Sequence, residues 1–192
     1  MIYLASASPR RRELLAQVGV GFEVLPSNLN EMRARGETPH DYVLRVAGDK
    51  ARHVAGVAAA RGLPRHPVLG ADTEVVVDGE ILGKPRDRAH ATAMLRTLAG
   101  QTHTVLTGLC LVTVHGEHAA VCMSRVTMAP LSDGEIGRYV ATGEADDKAG
   151  AYAIQGRAGA FIARLEGSYS GVMGLPLHEL RELFGRAGLE WP

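Results

Sequence analysis

The sequence predicts an α/β protein with a mixed β-sheet and flanking helices. Short apolar runs, which are typical of buried strands, alternate along the chain with longer segments whose apolar residues recur every three or four positions, as in amphipathic helices. Between two of the apolar runs stands Asp78-Gly79, a strong signal for a hairpin of antiparallel strands. Interleaved helices and strands that include a hairpin favour a mixed sheet over a purely parallel one.

The first half of the chain alternates strand and helix. A strand over residues 2–5 is followed by a helix in which Ser8 is the expected N-cap, Pro9 the first residue and Gly19 the stop. The further elements predicted here are a strand at 22–25, a polar loop at 26–38, a helix from Pro39 to about 62, strands at 68–71, 73–77 and 81–82, and a helix at 87–98.

The second half begins with two long β-rich stretches, at 102–114 and 119–128, joined by a turn at 115–118. A helix at 133–141, a glycine-rich segment, a strand at 160–165 and a helix at 177–185 complete the prediction. The length of 192 residues suits one domain, or two small lobes on a shared sheet.

Composition excludes several classes of protein. The 21 basic and 21 acidic residues cancel, and aromatic residues are only 5% and scattered, so neither a basic surface nor a stacking platform for nucleic acid is expected. The two cysteines lack metal-ligand spacing and indicate free thiols of a reducing compartment. No apolar run approaches the ~20 residues of a membrane span, and the N-terminal charges follow the apolar run, unlike in a signal peptide. We therefore expect a soluble, cytoplasmic protein without a membrane partner.

A candidate phosphate-binding segment lies between the first strand and the first helix, with the sequence Ser-Ala-Ser-Pro-Arg-Arg at 6–11. A helix N-terminus offers unpaired N–H groups, Ser6 and Ser8 add hydroxyls, and Arg10 and Arg11 add guanidinium forks that match phosphate oxygens. The other interpretation is an ordinary capped helix with a solvated basic first turn. The residues alone do not decide between these two interpretations.

A second candidate is Asp72, which directly follows an apolar strand, where α/β proteins commonly bind ligands. It could bind a divalent cation or accept a proton from water, although a turn-forming Asx cap is the alternative. Lys84 follows the hairpin and would return a cation to the same end of the sheet, and Glu31 with Lys50 forms a further acidic and basic pair. Because 18 arginines and 3 lysines make up the 21 basic residues, the lysines, which include Lys148, mark positions where a compact charge is useful.

The third candidate is the glycine-rich stretch at 146–177, where Lys, Gln, Ser and Tyr stand among several glycines. Glycine allows close backbone approach to a ligand, and the Gln155 amide, which both donates and accepts, could read the edge of a nucleotide base. Tight turns between packed elements are the alternative explanation of the glycines.

Together these motifs resemble the Maf-like nucleoside triphosphate pyrophosphatases over essentially the whole chain. The resemblance rests on S-A-S-P-R-R, G-A-D-T, L-G-K-P, D-K-A-G-A-Y-x-I-Q-G, E-G-S-Y and G-L-P-L, which occur in the family's order. Arg10, Thr73 and Gln155 match the branch that hydrolyses dTTP and UTP. Asn28 and Asn30 depart from the family where acidic residues are common, and Gly171 where Asn is common.

The resemblance implies a single ITPase-like α/β domain over 1–192, elongated and two-lobed around a central cleft, that is often a homodimer. It implies hydrolysis of dTTP and UTP to the monophosphate and pyrophosphate, with Asp72 as proton acceptor and a required divalent cation. We assign Mg²⁺ or Mn²⁺ to Glu31 and Asp72. The predicted substrate-binding residues are Ser6, Ser8, Arg10, Arg11, Lys50, Thr73, Lys84, Lys148 and Gln155. The alternative function is a non-catalytic nucleotide-binding regulator of cell division, which would not need Asp72.

Overall fold

A computed structural model describes the whole chain, residues 1–192, as helices around one seven-stranded sheet. The strands are β1 (Ile2–Leu4), β2 (Phe22–Val24), β3 (Val68–Val77), β4 (Glu80–Ile81), β5 (Thr102–Thr113), β6 (Gly116–Met128) and β7 (Ile162–Glu166). The helices are α1 (Pro9–Gln17), α2 (Pro39–Ala60), α3 (Arg88–Leu98), α4 (Asp133–Ala141), α5 (Tyr169–Met173) and α6 (Leu177–Arg186). Two short 3₁₀ turns lie at Ala149–Ala151 and Arg157–Phe161.

The sheet is mixed, as predicted. Its strand order is β2-β1-β3-β5-β6-β7, and β4 pairs with β3 outside that path. Strand β1 runs parallel to both β2 and β3, with Leu4 opposite Leu69 in the second pair. The Asp78-Gly79 hairpin makes β3 and β4 antiparallel, and β7 is antiparallel to β6.

The helix boundaries follow local capping chemistry. At the start of α2 the Thr38 hydroxyl accepts the Asp41 N–H at 3.1 Å, and at the start of α4 Ser132 and Glu135 form a reciprocal capping box. Ser8 occupies the N-cap of α1, as predicted, but its side chain makes no capping hydrogen bond. Side-chain caps therefore fix α2 and α4 more firmly than α1.

The main differences from the prediction are one merged strand, one shorter turn and one additional helix. The strands expected at 68–71 and 73–77 are one strand, β3, which continues through Asp72. The turn between β5 and β6 needs only Val114 and His115, because the Thr113 hydroxyl accepts the His115 N–H at 3.1 Å. Helix α5 was not predicted, and it forms where the Ser168 hydroxyl accepts the Gly171 N–H at 2.9 Å.

The chain divides into two compact units. The first unit comprises Met1–Asp72, Thr107–Cys122 and Gly174–Pro192, and the second comprises Thr73–Leu106 and Met123–Met173. In the first unit, Ala47, Ala51 and Val54 of α2 pack on Tyr3 and Val68. In the second, a larger core joins α3 and α4 to residues that include Tyr152 and Ile154. No helix combines the length and apolar character needed to cross a membrane.

Candidate active site

The centre of the first unit is organised by the close approach of α2 to β3 at Gly70. A Cβ at this position would collide with the Ala47 carbonyl oxygen and would lie 2.9 Å from the Ala51 backbone nitrogen. Gly70 and Asp72 are two residues apart in a strand, so they point to the same face of the sheet. The absence of a side chain at Gly70 therefore lets α2 bring Lys50 beside Asp72.

Lys50 joins two carboxylates. Its ammonium nitrogen lies 2.8 Å from Asp72 Oδ1 and 2.9 Å from Glu31 Oε1. Lys50 and Asp72 are buried, at 7% and 5% exposure, whereas the Glu31 side chain is 36% exposed. The Tyr42 hydroxyl donates to the Glu31 backbone carbonyl at 3.1 Å and so ties the loop that carries Glu31 to α2. Breaking a buried ion pair by removing one partner typically costs about 3–5 kcal/mol, so this cluster is a fixed part of the structure.

The second oxygen of Asp72, Oδ2, is buried without a hydrogen-bond partner. An unsatisfied buried carboxylate oxygen is costly, and it is the donor that a hard cation such as Mg²⁺ or Mn²⁺ uses. No group of three or more His, Cys, Asp or Glu side chains forms a ready-made metal cage. Mg²⁺ is usually held by one or two carboxylates together with substrate phosphates, and Asp72 and Glu31 fit that arrangement.

Arg11, which was predicted to bind phosphate, is buried at 8% exposure. Its Nε donates to the Gly174 carbonyl at 2.8 Å, and its Nη1 donates to the Ser6 hydroxyl at 2.9 Å. The Ser6 oxygen also accepts the Ser8 N–H at 3.3 Å. Burial lowers the pKa of Arg11, while Asp72 and Glu31 oppose that shift. Arg11 thus fixes the loop of Ser6 and Ser8. Of the two arginines predicted to bind phosphate, half-buried Arg10 is the more accessible.

A pocket of about 310 Å³ lies beside Glu31, lined by Leu29, Asn30 and one face of α2. Its two arginines are already neutralised, because Arg45 Nε lies 2.6 Å from Glu37 Oε1 and Arg52 Nη1 lies 2.7 Å from Glu117 Oε2. The pocket therefore offers space but no uncompensated positive charge.

In the second unit, two lysine-bearing segments are joined by their backbones. The Gly150 N–H donates to the Gly83 carbonyl at 2.8 Å, which brings the segments of Lys84 and Lys148 together. Lys84 is exposed, and the Lys148 ammonium donates to the Asp146 carbonyl at 3.1 Å. Thr73 is half-buried on β3, and Gln155 is exposed at the end of the Tyr-Ala-Ile-Gln segment.

Sequence reasoning missed residues that position the predicted ones. Gly70, Tyr42 and the Gly174 carbonyl hold Lys50, Glu31 and Arg11 in place. In the second unit Glu144 accepts the backbone N–H groups of Arg157 and Ala158, two and three residues after Gln155. Glu144 stands just ahead of Asp146-Asp147-Lys148, but nothing in the sequence distinguishes a glutamate that accepts backbone N–H groups from an ordinary surface one.

Comparison with known proteins agrees with the predicted family. A family model described as Maf-like protein matches residues 1–187. The chain therefore belongs to the Maf-like family.

Its similar relatives include three proteins named dTTP/UTP pyrophosphatase. The relative from Ralstonia nicotianae is 51% identical, with 98% of this chain and 94% of the relative covered. The one from Cupriavidus pinatubonensis is 50% identical, with 99% and 98% covered, and the one from Burkholderia pseudomallei is 52% identical, with 97% and 93% covered. Among solved structures, the Staphylococcus aureus Ham1 protein matches 69% of this chain and 72% of its own, at 14% identity and a TM-score of 0.46, a likeness too low to support an inference.

Proposed function

We propose that this protein hydrolyses dTTP and UTP to the nucleoside monophosphate and pyrophosphate. The observation that carries the proposal is the buried Asp72, which is paired with Lys50 through one oxygen and has its other oxygen without a partner. The proposal draws its substrate from relatives about half identical to this chain and named dTTP/UTP pyrophosphatase.

The reaction requires an activated water and neutralised phosphates. Water adds at phosphorus, the anhydride link between the α and β phosphates breaks, pyrophosphate leaves, and the proton of the water passes to Asp72. This chemistry depends on positioning and on electrostatic stabilisation rather than on covalent catalysis by the protein. Lys50 holds the Asp72 carboxylate in place through its 2.8 Å contact, so the proton acceptor has a fixed position.

The triphosphate charge is balanced by hydroxyls and cations that the sequence analysis identified. We assign the Ser6 and Ser8 hydroxyls, Arg10, Lys84 and Lys148 to phosphate oxygens. Because two Arg11 nitrogens already bond to Gly174 and Ser6, Arg11 contributes its charge and the orientation of Ser6.

Asp72 and Glu31 are the residues proposed to hold Mg²⁺ or Mn²⁺. When bound, such an ion neutralises phosphate charge and lowers the pKa of a coordinated water. The unpartnered Asp72 Oδ2 and the partly exposed Glu31 carboxylate supply the oxygen ligands that hard cations prefer.

Gln155 is proposed to recognise the base of the nucleotide. Thr73 is assigned to the same preference for dTTP and UTP, on the family resemblance. Uracil and thymine present acceptor, donor and acceptor groups along the pairing edge, whereas cytosine reverses part of that pattern. A Gln amide can both donate and accept, and a base that leaves buried polar groups unpaired is penalised by roughly 1–3 kcal/mol per group.

The test is product identification after incubation with dTTP and with UTP. We expect dTMP or UMP together with pyrophosphate, and no turnover in excess chelator until Mg²⁺ or Mn²⁺ is restored. Release of orthophosphate and a diphosphate, or full activity in chelator, would contradict the assigned chemistry. Tight dTTP binding without any product would favour the alternative of a non-catalytic nucleotide-binding regulator.

We further propose, on the family resemblance, that the protein works as a cytoplasmic homodimer. Each chain has a mass of 20.4 kDa, so sedimentation equilibrium should return about twice that mass. A single-chain mass at all concentrations would contradict the dimer.

A further inference from the structure

The segment that carries Gln155 is a tight turn anchored at both sides. Ala153 and Ile154 before it are buried, as is Ala158 after it, whereas Gln155 itself is exposed. The Gly156 N–H donates to the Ala153 carbonyl at 3.0 Å and closes the turn around Gln155.

Glu144 holds the side of the turn that follows Gln155. Its Oε2 accepts the Arg157 N–H at 3.0 Å, and its Oε1 accepts the Ala158 N–H at 3.3 Å. A Cβ on Gly156 would lie 2.5 Å from the Glu144 carboxylate, so only glycine allows this approach. Both oxygens of the Glu144 carboxylate therefore accept hydrogen bonds, from the N–H groups of two consecutive residues.

Tyr139 holds the side that precedes Gln155. Its hydroxyl accepts the Ala153 N–H at 3.2 Å, and its ring packs edge-on against Phe161 with centroids 5.5 Å apart. Burial is the main cause that raises the pKa of the Tyr139 hydroxyl, and the nearby Glu144 carboxylate raises it further. The two side chains therefore hold the turn from both sides and lie close to each other.

We propose that Glu144 and Tyr139 are positioning residues that fix the Gln155 amide for base recognition and thereby set the preference for uracil and thymine over cytosine. The inference rests on the proposed function, because it assigns to Glu144 and Tyr139 the orientation of the amide that reads the base. A side chain selects a ligand well only when its backbone is held in one place, so loosening this turn should reduce selectivity before it reduces phosphate chemistry.

Glu144→Gln is the most direct test. The amide keeps the size of the side chain, but its NH₂ group faces one of the two backbone N–H donors and leaves that donor unpaired. We expect the ratio of kcat/KM for UTP to kcat/KM for CTP to fall about tenfold or more, mainly through a higher KM for UTP, since small misplacements of a positioning group can cost up to ~10²-fold.

Glu135→Gln is a matched control. Glu135 is also a carboxylate that accepts hydrogen bonds, from the Ser132 N–H at 2.8 Å and its hydroxyl at 2.6 Å, but it caps α4 instead of holding the turn. It should lower thermal stability without changing the UTP to CTP ratio. Tyr139→Phe removes the acceptor of the Ala153 N–H and provides a second variant if Glu144→Gln does not fold.

A double variant separates positioning from general stability. If Glu144 acts through Gln155, then Glu144→Gln combined with Gln155→Ala should have the same UTP to CTP ratio as Gln155→Ala alone. The proposal is overturned if Gln155→Ala loses the preference while Glu144→Gln and Tyr139→Phe keep it within twofold. It is also overturned if these two variants slow UTP and CTP hydrolysis in parallel. If the wild type has no preference for UTP over CTP, the proposed base-reading function fails first.

Discussion

The two units hold their candidate functional residues by different means. In the first unit, buried Lys50 contacts Asp72 and Glu31 in a cluster of full charges. In the second unit, Gln155 is held indirectly, through backbone N–H groups that donate to Glu144 and Tyr139. The charged cluster presents reactive groups directly, whereas the turn presents a neutral amide on a fixed backbone.

This difference matches the two tasks of a nucleotide hydrolase. Stabilising a triphosphate and activating water need charges aimed at the reacting atoms. Distinguishing uracil from cytosine needs donors and acceptors whose positions are fixed, because full charges attract many ligands without reading the pattern of a base. The comparison therefore predicts that damage to the first unit lowers every reaction and that damage to the turn changes the choice of substrate.

The largest effect is expected from Asp72→Asn. The amide keeps the shape of the side chain but cannot serve as a proton acceptor, so kcat should fall ~10²–10⁴-fold for all substrates. Because Glu31 still partners Lys50, the variant should fold, with a lower melting temperature than the wild type. Steady-state kinetics with thermal unfolding measures both quantities.

Asp49→Asn is the control for this substitution. Asp49 is a carboxylate on the same helix as Lys50, and it pairs with Arg45 and Arg52 at a partly exposed position. Its loss should leave kcat within about twofold, because the assigned chemistry uses no atom of Asp49, and an exposed ion pair contributes only ~0–1 kcal/mol to stability. Near-normal turnover in Asp72→Asn with a correctly folded protein would rule out Asp72 as the proton acceptor.

Gly70→Ala should give the next largest effect, on stability. A methyl group there meets backbone atoms of Ala47 and Ala51, which cannot move aside as a flexible side chain can. We expect a loss of about 3 kcal/mol or more in the free energy of unfolding, together with reduced turnover because Lys50 shifts from Asp72.

Gly56→Ala provides the contrast within α2. Nothing lies within 4 Å of a Cβ at that position, and alanine is a better helix former than glycine. This variant should gain about 0.5–1 kcal/mol. Equal stability of the two variants in urea unfolding would refute the close approach at Gly70.

The residues of the charged cluster could be chosen from the sequence, but their geometry could not. Asp72 and Lys50 were identified from residue type and motif, but Asp72 was expected to follow a strand and instead lies inside β3. A carboxylate within a strand is stable here because Lys50, distant in sequence, neutralises it. Glu144 was missed because its partners are backbone N–H groups, which no pattern of side chains records.

A smaller effect is expected from acid, which should lower the folding stability through His103 in the second unit. His103 is buried beside Tyr152, with 2.8 Å between its Nε2 and the hydroxyl, and its Nδ1 lacks a partner. Burial lowers the pKa of His103 from 6.5 to about 4. The unfolded chain therefore binds more protons between these values, so stability is fully present above pH 6.5 and falls as the pH drops toward 4.

His103→Gln should remove this contribution, because an amide does not titrate. Between pH 7 and pH 4.5 the wild type should lose about 2–3 kcal/mol more than the variant does, as measured by urea unfolding at each pH. The same loss in both proteins would mean that His103 does not titrate on unfolding.

We propose that the Lys50, Asp72 and Glu31 cluster activates water, and that the Gln155 turn selects the base. The most direct test is the ratio of kcat/KM for UTP to kcat/KM for CTP, measured on Asp72→Asn and on Gln155→Glu. We predict that Asp72→Asn lowers both values and keeps their ratio within about twofold, whereas Gln155→Glu, which replaces the amide donor by acceptors, lowers the ratio about tenfold or more. A changed ratio in Asp72→Asn, or an unchanged ratio in Gln155→Glu, would contradict this division of roles.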